Sequence, residues 1–222
     1  KIASGEWAPE HRIPSENELN REYSLSRMTI RGVLNKLAGD GMLIRVAGKG
    51  TFVAPQKINA VSPVYKGIRE QLEVLGYDIA TTLISTERVP APTRVREHLN
   101  LPAGAEVIAV IRLRTVDGKP LSVHRSFVPA SLAPGLDQLD VVNEHLCVVL
   151  EDKFNLSMKS VSEDLEVIVA EGTDAKLLEL RKGDPALLLT DVITNPAGTA
   201  FEYSTIVFRG DTVRLKFDYK RE

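Results

Sequence analysis

The sequence predicts an α+β protein in which a short helical segment with a two-stranded hairpin precedes a larger antiparallel sheet with helices on one face. Two observations favour this fold class. Between residues 15 and 53, capped helical patterns lead into two short strands separated by glycines. Beyond residue 64, apolar strands separated by turn residues alternate with short helical patterns.

The composition is typical of a soluble globular protein with a substantial core. The chain has 222 residues, of which 43% are hydrophobic and 26% charged. No apolar run approaches the ~20 residues that cross a bilayer, and no signal peptide is recognisable. The single cysteine, Cys147, cannot form an internal disulfide. We therefore expect a cytoplasmic, nucleoid-associated protein without a membrane partner.

The charge is unevenly distributed along the chain. The net charge is −2, but residues 1–57 hold nine basic and six acidic residues, whereas the remainder holds nineteen and twenty-four. A basic first part joined to an acidic second part is typical of a nucleic-acid-binding module attached to a partner domain.

Two capped helices are predicted near the start. Ser15 and Glu18 have the spacing of a capping box, which begins a helix through Tyr23. Ser26 caps a second helix, which ends at the glycines following residue 38. Its apolar positions follow the helical spacing i, i+3, i+4, i+7 and are Ile30, Val33, Leu34 and Leu37.

Two short strands, "MLIRV" and "TFV", flank the glycine-rich turn after this helix. A phosphate-binding loop is excluded here, because Lys49 is followed by a glycine and a strand instead of Ser or Thr and a helix. Two helices joined by a tight turn, with a hairpin behind them, instead predict a winged helix-turn-helix.

The start of the second helix then predicts a DNA-reading surface. Arg27 and Arg31 are four residues apart and point the same way, so each can bond guanine or grip a phosphate. The hydroxyls of Ser26 and Thr29 suit phosphate oxygens, and Lys49 can reach the duplex from the hairpin tip. The alternative is that both arginines are solvated surface charges; the combination of caps, turn, arginines and hairpin favours DNA.

Residues 54–64, "APQKINAVSPV", carry two prolines and no periodicity, which predicts a linker. Helices are then expected over 64–76, 93–101, 140–153 and 173–181. The intervening strands are joined by turns such as "DGKP", "NPAG" and "RGDT". Consecutive hairpins predict an antiparallel sheet.

In "VIAVIRLRTV", Arg112 and Arg114 continue the apolar face formed by Ile108 and Val110. Unpaired charges are rarely buried, so this pair is a candidate clamp for a carboxylate or phosphate on a small ligand. Internal salt bridges or a solvent-facing strand end remain alternatives.

Four further residues are candidate ligand contacts: His124, His145, Glu202 and Tyr203. A lone histidine can equally be a satisfied structural residue. Glu202 and Tyr203 are adjacent in one strand, so one faces the ligand side and the other faces away; the sequence does not say which.

Catalysis is disfavoured by the sequence. It contains no nucleophile elbow and no metal-ligand spacing, so we expect neither a metal nor a cofactor. His145 and Cys147 are two apart in a predicted helix and point to different sides, which leaves Cys147 as a small core residue.

The stretch "IASGEWAPEHRIPSENELNREYSLSRMTIRGVLNKLAGDGMLIRVAGKGTFV", residues 2–53, resembles the winged helix-turn-helix of the GntR family of bacterial transcription regulators. The family has a further helix that would lie mostly before Lys1. The resemblance implies DNA contacts from six positions, with an asparagine where the family often has arginine. They are Asn17, Arg27, Thr29, Arg31, Gly48 and Lys49.

The stretches "VIAVIRLRTVDGKPLSVHRSFVP" and "AFEYSTIVFRGD" resemble the UTRA effector-binding domain of the HutC subgroup. This resemblance implies a chorismate lyase-like fold, a small anionic effector and a homodimer, hence a pseudo-palindromic double-stranded operator. The expected domains are 1–54 for DNA, 55–64 as linker and 65–222 for effector and dimerisation. A ligand-responsive repressor is predicted; the alternative is a lyase-like enzyme activity in the second domain.

Overall fold

The computed structural model describes residues 1–55, 57–61, 72–74, 76–142 and 146–216. The chain divides into two compact units, Lys1–Lys57 and Ile58–Glu222. Within the described ranges, no helix is both long enough and apolar enough to cross a bilayer.

The first unit contains two helices and a hairpin. These are α1 (Glu16–Tyr23), α2 (Arg27–Gly39), β1 (Leu43–Val46) and β2 (Gly50–Val53). The predicted capping box is present: the Ser15 side chain accepts from the Glu18 N–H, and the Ser15 N–H donates to Glu18 Oε2 at 2.7 Å. The start of α1 predicted from the sequence is therefore confirmed.

An apolar core holds these elements together. Its buried members are Ile13, Leu19, Ile30, Leu34, Leu43 and Val53. They come from both helices, the hairpin and the strand-like segment at residues 11–13, whose Arg12 bridges to Phe52 of β2. The predicted stripe is thus confirmed for Ile30 and Leu34, whereas Val33 remains 48% exposed.

The second unit is built on one six-stranded sheet. Its strands are β4 (Ile79–Pro90), β5 (Glu106–Val116), β6 (Lys119–Pro129), β7 (Ser160–Val169), β8 (Pro185–Thr194) and β9 (Ala200–Arg209). Their spatial order is β4-β5-β6-β9-β8-β7, and every neighbouring pair is antiparallel. The predicted α+β class with an antiparallel sheet is confirmed.

Among the described residues, three helices with assigned bounds and a short 3-10 turn accompany this sheet. They are α3 (Thr93–His98), α4 (Leu146–Phe154), α5 (Gly172–Leu177) and the turn Leu136–Gln138. The predicted helix over 64–76 lies largely outside the described residues. For the helix predicted over 140–153, residues 143–145 are not described, and the described helical part begins at Leu146.

The helices pack on both faces of the sheet, which differs from the expectation of one covered face. Strand residues alternate between faces. The α4 core includes Ile108 and Val128 from one face, whereas α3 packs with Val107 and Tyr203 from the other. The residues following α5 also pack on that second face, against Val123. Each face carries a cluster of apolar side chains, so each needs a cover.

The predicted linker contains a strand. Residues 58–61 form β3 (Ile58–Val61), which pairs in parallel with β10 (Val213–Lys216). β10 therefore leaves the hairpin series that the turn "RGDT" predicted and forms a separate two-stranded sheet. Ile58 and Val213 are buried together with Leu72. Packing against residues distant in the chain therefore forms this strand, which is why the local sequence pattern did not predict it.

The capping box gives a stability prediction. Replacing Ser15 with Ala should lower the free energy of unfolding of the first unit by about 1 kcal/mol, because an N–H of the first turn loses its acceptor. Since Ser15 and Glu18 act reciprocally, the Ser15→Ala/Glu18→Ala double variant should lose less than the sum of the single losses. Chemical denaturation of the four proteins measures this; strict additivity would contradict the reciprocal cap.

Candidate nucleic-acid interface and effector site

The first turn of α2 carries a network of hydroxyls. Ser26 caps the helix, with its Oγ accepting from the Thr29 N–H at 3.1 Å. The two hydroxyl oxygens, Ser26 Oγ and Thr29 Oγ1, are 2.8 Å apart. One hydroxyl proton is used in that bond, which leaves the other for an external acceptor.

Arg27 and Arg31 both extend from α2 into solvent. The Arg31 guanidinium is not solvated on all sides, because Nη2 donates to Glu16 Oε2 at 3.0 Å and Nε to the same oxygen at 3.2 Å. The hydrogen bonds that Arg31 donates to Glu16 raise the pKa of its guanidinium. Its side chain nevertheless stays 61% exposed, so the ion pair orients the guanidinium without burying it.

The hairpin supplies an exposed tip. Gly48 has φ +72, a left-handed conformation that favours glycine, and a Cβ there would meet no atom within 4 Å. Lys49 follows it and is exposed, as is Asn17 in the first turn of α1.

A hydrogen bond that the sequence did not indicate ties this hairpin to the helix. Arg45 Nη2 donates to Asn35 Oδ1 at 2.6 Å, which joins β1 to the third turn of α2. The seven predicted DNA-contacting positions are all exposed on this unit, around the start of α1, the first turns of α2 and the hairpin tip.

In the second unit, strand register places the predicted arginines on one face of the sheet. Arg112 lies opposite His124 and Arg114 lies opposite Ser122, across β5 and β6. All four side chains are buried. His124 Nε2 is 2.9 Å from Ser122 Oγ, and its ring meets the edge of Phe208 at 6.2 Å.

Arg112 is held by weak contacts for a buried cation. Nη1 donates to the Val141 carbonyl oxygen at 3.3 Å and Nη2 to Ser126 Oγ at 3.5 Å. Within the described part of the chain, Nε has no hydrogen-bond acceptor. Burial lowers the pKa of Arg112, and the charge of Glu202 opposes that shift.

Acidic residues share this face. Glu202 is 4% exposed and accepts a contact from Cys147 Sγ at 3.9 Å; burial raises the pKa of its carboxyl. Burial also raises the pKa of the Cys147 thiol, which packs beside the α4 core. A thiol that resists ionisation is a poor nucleophile, in agreement with the structural role predicted for this cysteine.

Asp191 is a buried polar residue of this face that was not predicted from the sequence. This residue of β8 is 2% exposed and lies between Ser204 and Glu163 in register. Ser204 Oγ donates to Oδ2 at 2.9 Å, whereas Oδ1 has no hydrogen-bond partner among the residues described. Burial, reinforced by Glu163 and Glu202, raises its pKa to about 7. The signal was available: "LLLTDVIT" sets one aspartate within an apolar strand.

Together these side chains form a polar row, which we define as Arg112, Ser126, Ser204, Asp191 and Glu202. Ser126 and Ser204 are cross-strand partners, so the row runs from β5 to β8 on one face. Apolar clusters flank it, one around α4 and the other around Ile206 and Phe208. The row therefore joins a cationic end and an acidic end inside an apolar frame.

Tyr203 does not belong to this face. It is stacked on His98 of α3 at 4.7 Å and packs near Phe127, on the opposite side of the sheet from Glu202. Alternation along β9 thus decides the choice that the sequence left open, and Tyr203 is excluded from the candidate site.

His145 lies outside the described residues. No group of three or more His, Cys, Asp or Glu side chains is placed to hold a metal ion in the ranges that are described.

Comparison with protein families identifies both units. The profile of the bacterial regulatory proteins of the gntR family matches residues 1–53, and that of the UTRA domain matches residues 75–214. The chain belongs to the GntR family. It is a ligand-responsive, DNA-binding transcription regulator of the HutC type, and the family and its relatives give no support to the lyase-like alternative.

Relatives cover most of this GntR-family regulator. A probable fructoselysine utilization operon transcriptional repressor of Escherichia coli K12 is 30% identical over 220 residues, which span 99% of this chain and 90% of the relative. A histidine utilization repressor of Pseudomonas putida is 30% identical over 189 residues, or 85% and 75% of the two chains. The crystal structure of PhnF from Mycobacterium smegmatis superposes with a TM-score of 0.73 at 22% identity, covering 98% and 95%.

Asp191 gives a pH-dependent stability prediction. Its carboxyl has an ordinary pKa of 3.8 and a folded value of about 7. Between these values the folded state holds the proton more tightly, so the free energy of unfolding falls as pH rises. The substitution Asp191→Asn removes the group whose ionisation lowers stability, and the asparagine oxygen can still accept the hydrogen bond from Ser204. It should therefore stabilise the protein at pH 8 by a few kcal/mol, roughly 1.4 per pKa unit, and have little effect near pH 4.

Urea unfolding at pH 4 and pH 8 measures this difference. Asp164→Asn is the matched control, because that carboxyl on the neighbouring strand β7 is exposed. Loss of stability in Asp191→Asn at pH 8 would show that the ionised carboxylate is a structural anchor instead.

Proposed function

We propose that α2 enters the major groove of an operator and that the hairpin tip approaches the adjacent minor groove. The observation that carries this proposal is the pair of outward-pointing arginines, Arg27 and Arg31, on the first turns of a capped helix beside a glycine-tipped hairpin. Arg31 is already oriented by Glu16, so less side-chain entropy is lost when it meets a base or phosphate.

The remaining DNA contacts are assigned by position. Ser26 and Thr29 would bind a phosphate at the helix start, where free N–H groups favour anions. Asn17 would contact the backbone or an adenine from α1. Gly48 carries no side chain, so the backbone of the hairpin tip would approach the duplex closely while Lys49 reaches a phosphate.

We further propose a homodimer on a pseudo-palindromic site. One recognition helix reads only a few base pairs, and two-fold symmetry doubles the contacts. The edge strand β7 supports this assembly, because Leu165, Val167 and Val169 are 42%, 77% and 61% exposed. An exposed apolar edge invites pairing with a second copy.

The effector that we propose is a small anionic metabolite. Its anionic group would meet Arg112 and Arg114, with His124 beside them, because no residue that the structure describes accepts from the buried Arg112 Nε. Hydroxyl or ammonium groups of the same metabolite would meet Glu202 and Asp191 at the acidic end of the row. His145 remains a predicted contact.

The biological setting follows the relatives. Two of them are named as repressors of catabolic functions, fructoselysine and histidine utilization, and we propose that this protein also represses and acts in the cytoplasm on nucleoid DNA. Residues 1–54 would bind DNA, 55–64 would link and 65–222 would bind effector and dimerise. Ligand binding would reposition the DNA heads through the linker, with a coupling of ~1–3 kcal/mol.

The groove assignment predicts a specific loss. Arg31→Ala should weaken operator binding by ~1–3 kcal/mol and reduce sequence preference, because a base or phosphate loses a charged donor. Arg21→Ala, at the far end of α1, makes the same charge change and should have a smaller effect. Titration of operator and random duplexes by fluorescence anisotropy measures both; equal losses for the two variants would remove Arg31 from the interface.

The effector assignment predicts a separable loss. A panel of acidic metabolites screened by thermal shift should contain compounds that stabilise the wild type and change its operator affinity. Arg112→Met/Glu202→Gln removes this cation and this carboxylate together, so neither is left buried without the other, and it should lose that response while keeping operator affinity. Glu202→Gln alone should still respond to the anionic group. A double variant that responds like the wild type would refute the anion clamp.

A further inference from the structure

Met28 presents a large apolar side chain to solvent at the start of the recognition helix. It is the second residue of α2 and is 77% exposed. Its neighbours Arg27 and Thr29 offer charge or hydrogen bonds, and Ile30 is buried, so Met28 is the exposed apolar side chain of the first turn.

The helical repeat places Met28 on the side of α2 that faces away from the core. Ile30 and Leu34 define the buried side, whereas Met28 and Gly32 are one turn apart on the outer side. A Cβ added at Gly32 would meet no atom within 4 Å. No side chain therefore projects from the helix at Gly32, and a binding partner can approach the helix backbone closely next to Met28.

Met28 lies outside the apolar groove of this unit. An apolar groove of about 400 Å³ is lined by residues such as Trp7, Leu25, Val33 and Met42, and Met28 is not among its lining residues. The exposure of Met28 is therefore not explained by membership of that groove.

We infer that Met28 reads a thymine in each operator half-site by packing against its 5-methyl group. This inference rests on the proposed placement of α2 in the major groove. Thymine is the one base that presents a methyl group there, and apolar side chains are the groups that recognise it. The flexible thioether chain of methionine adapts to such a contact, while Arg27 and Arg31 fix the helix on the backbone and neighbouring bases.

The test removes the methyl group and nothing else. Operators are first selected by the wild-type chain from a random duplex library. Each thymine of a half-site is then replaced in turn by deoxyuridine, which pairs identically but lacks the methyl. At one position per half-site, wild-type affinity should fall about four-fold, the value of one methyl group removed from water.

Met28→Ala decides whether that loss belongs to this side chain. The variant should bind thymine and deoxyuridine operators with nearly equal affinity, close to that of the wild type on deoxyuridine DNA. Met42→Ala, which changes the same residue type in the apolar groove, should keep the four-fold difference. Arg27→Ala should weaken both operators equally and keep their ratio.

The outcomes separate this inference from the function on which it rests. A wild-type chain that selects no sequence refutes groove reading by α2 and the inference with it. A selected half-site without a methyl-sensitive thymine overturns the Met28 assignment alone, and so does a four-fold difference that persists in Met28→Ala.

Discussion

Arg112 takes a full positive charge to a position that is 4% exposed, and the organisation of the second unit depends on that burial. A guanidinium does not shed its proton at ordinary pH, so the surroundings must supply acceptors and negative charge. Among the residues that the structure describes, its direct acceptors are one carbonyl and one hydroxyl at 3.3 and 3.5 Å, and the charge of Glu202 opposes the effect of burial. Within the described ranges its Nε has no acceptor, and such a group would complete its hydrogen bonds in the complex with the proposed effector.

The free energy of an unmade buried hydrogen bond is similar in size to the coupling free energy that a ligand-responsive regulator needs. A buried donor or acceptor without a partner costs about 1–3 kcal/mol. Coupling between two binding sites is of the same order. A metabolite that satisfied Arg112 Nε and Asp191 Oδ1 would therefore gain enough free energy from these two atoms to shift the population of DNA-binding states. The apolar clusters on either side of the row hold its strands in place, so the gain is not lost in rearranging the sheet.

The DNA-binding unit uses charge in the opposite way. Its arginines stay in solvent, where a charge costs little to maintain and is free to meet phosphate. The ion pair between Arg31 and Glu16 and the bond from Arg45 to Asn35 restrict side chains that would otherwise be mobile. Such surface pairs add little stability. In the proposed complex with DNA they would contribute preorganisation, because an oriented guanidinium and an anchored hairpin lose less entropy on binding.

The sequence by itself determined the local structure and the class of protein. Short-range signals are capping at Ser15 and Ser26, the helical stripe through Ile30 and Leu34, and the glycines of the hairpin. They predicted the surface that we propose to bind DNA. Period-two alternation likewise put Arg112 and Arg114 on one strand face. Tertiary structure alone decided the rest: that Glu202 and not Tyr203 shares that face, that Asp191 joins it from β8, that Glu16 holds Arg31, and that the predicted linker contains β3. Each of these depends on strand register or packing between residues far apart in the chain, and a local pattern carries no information about which distant strand will become a neighbour.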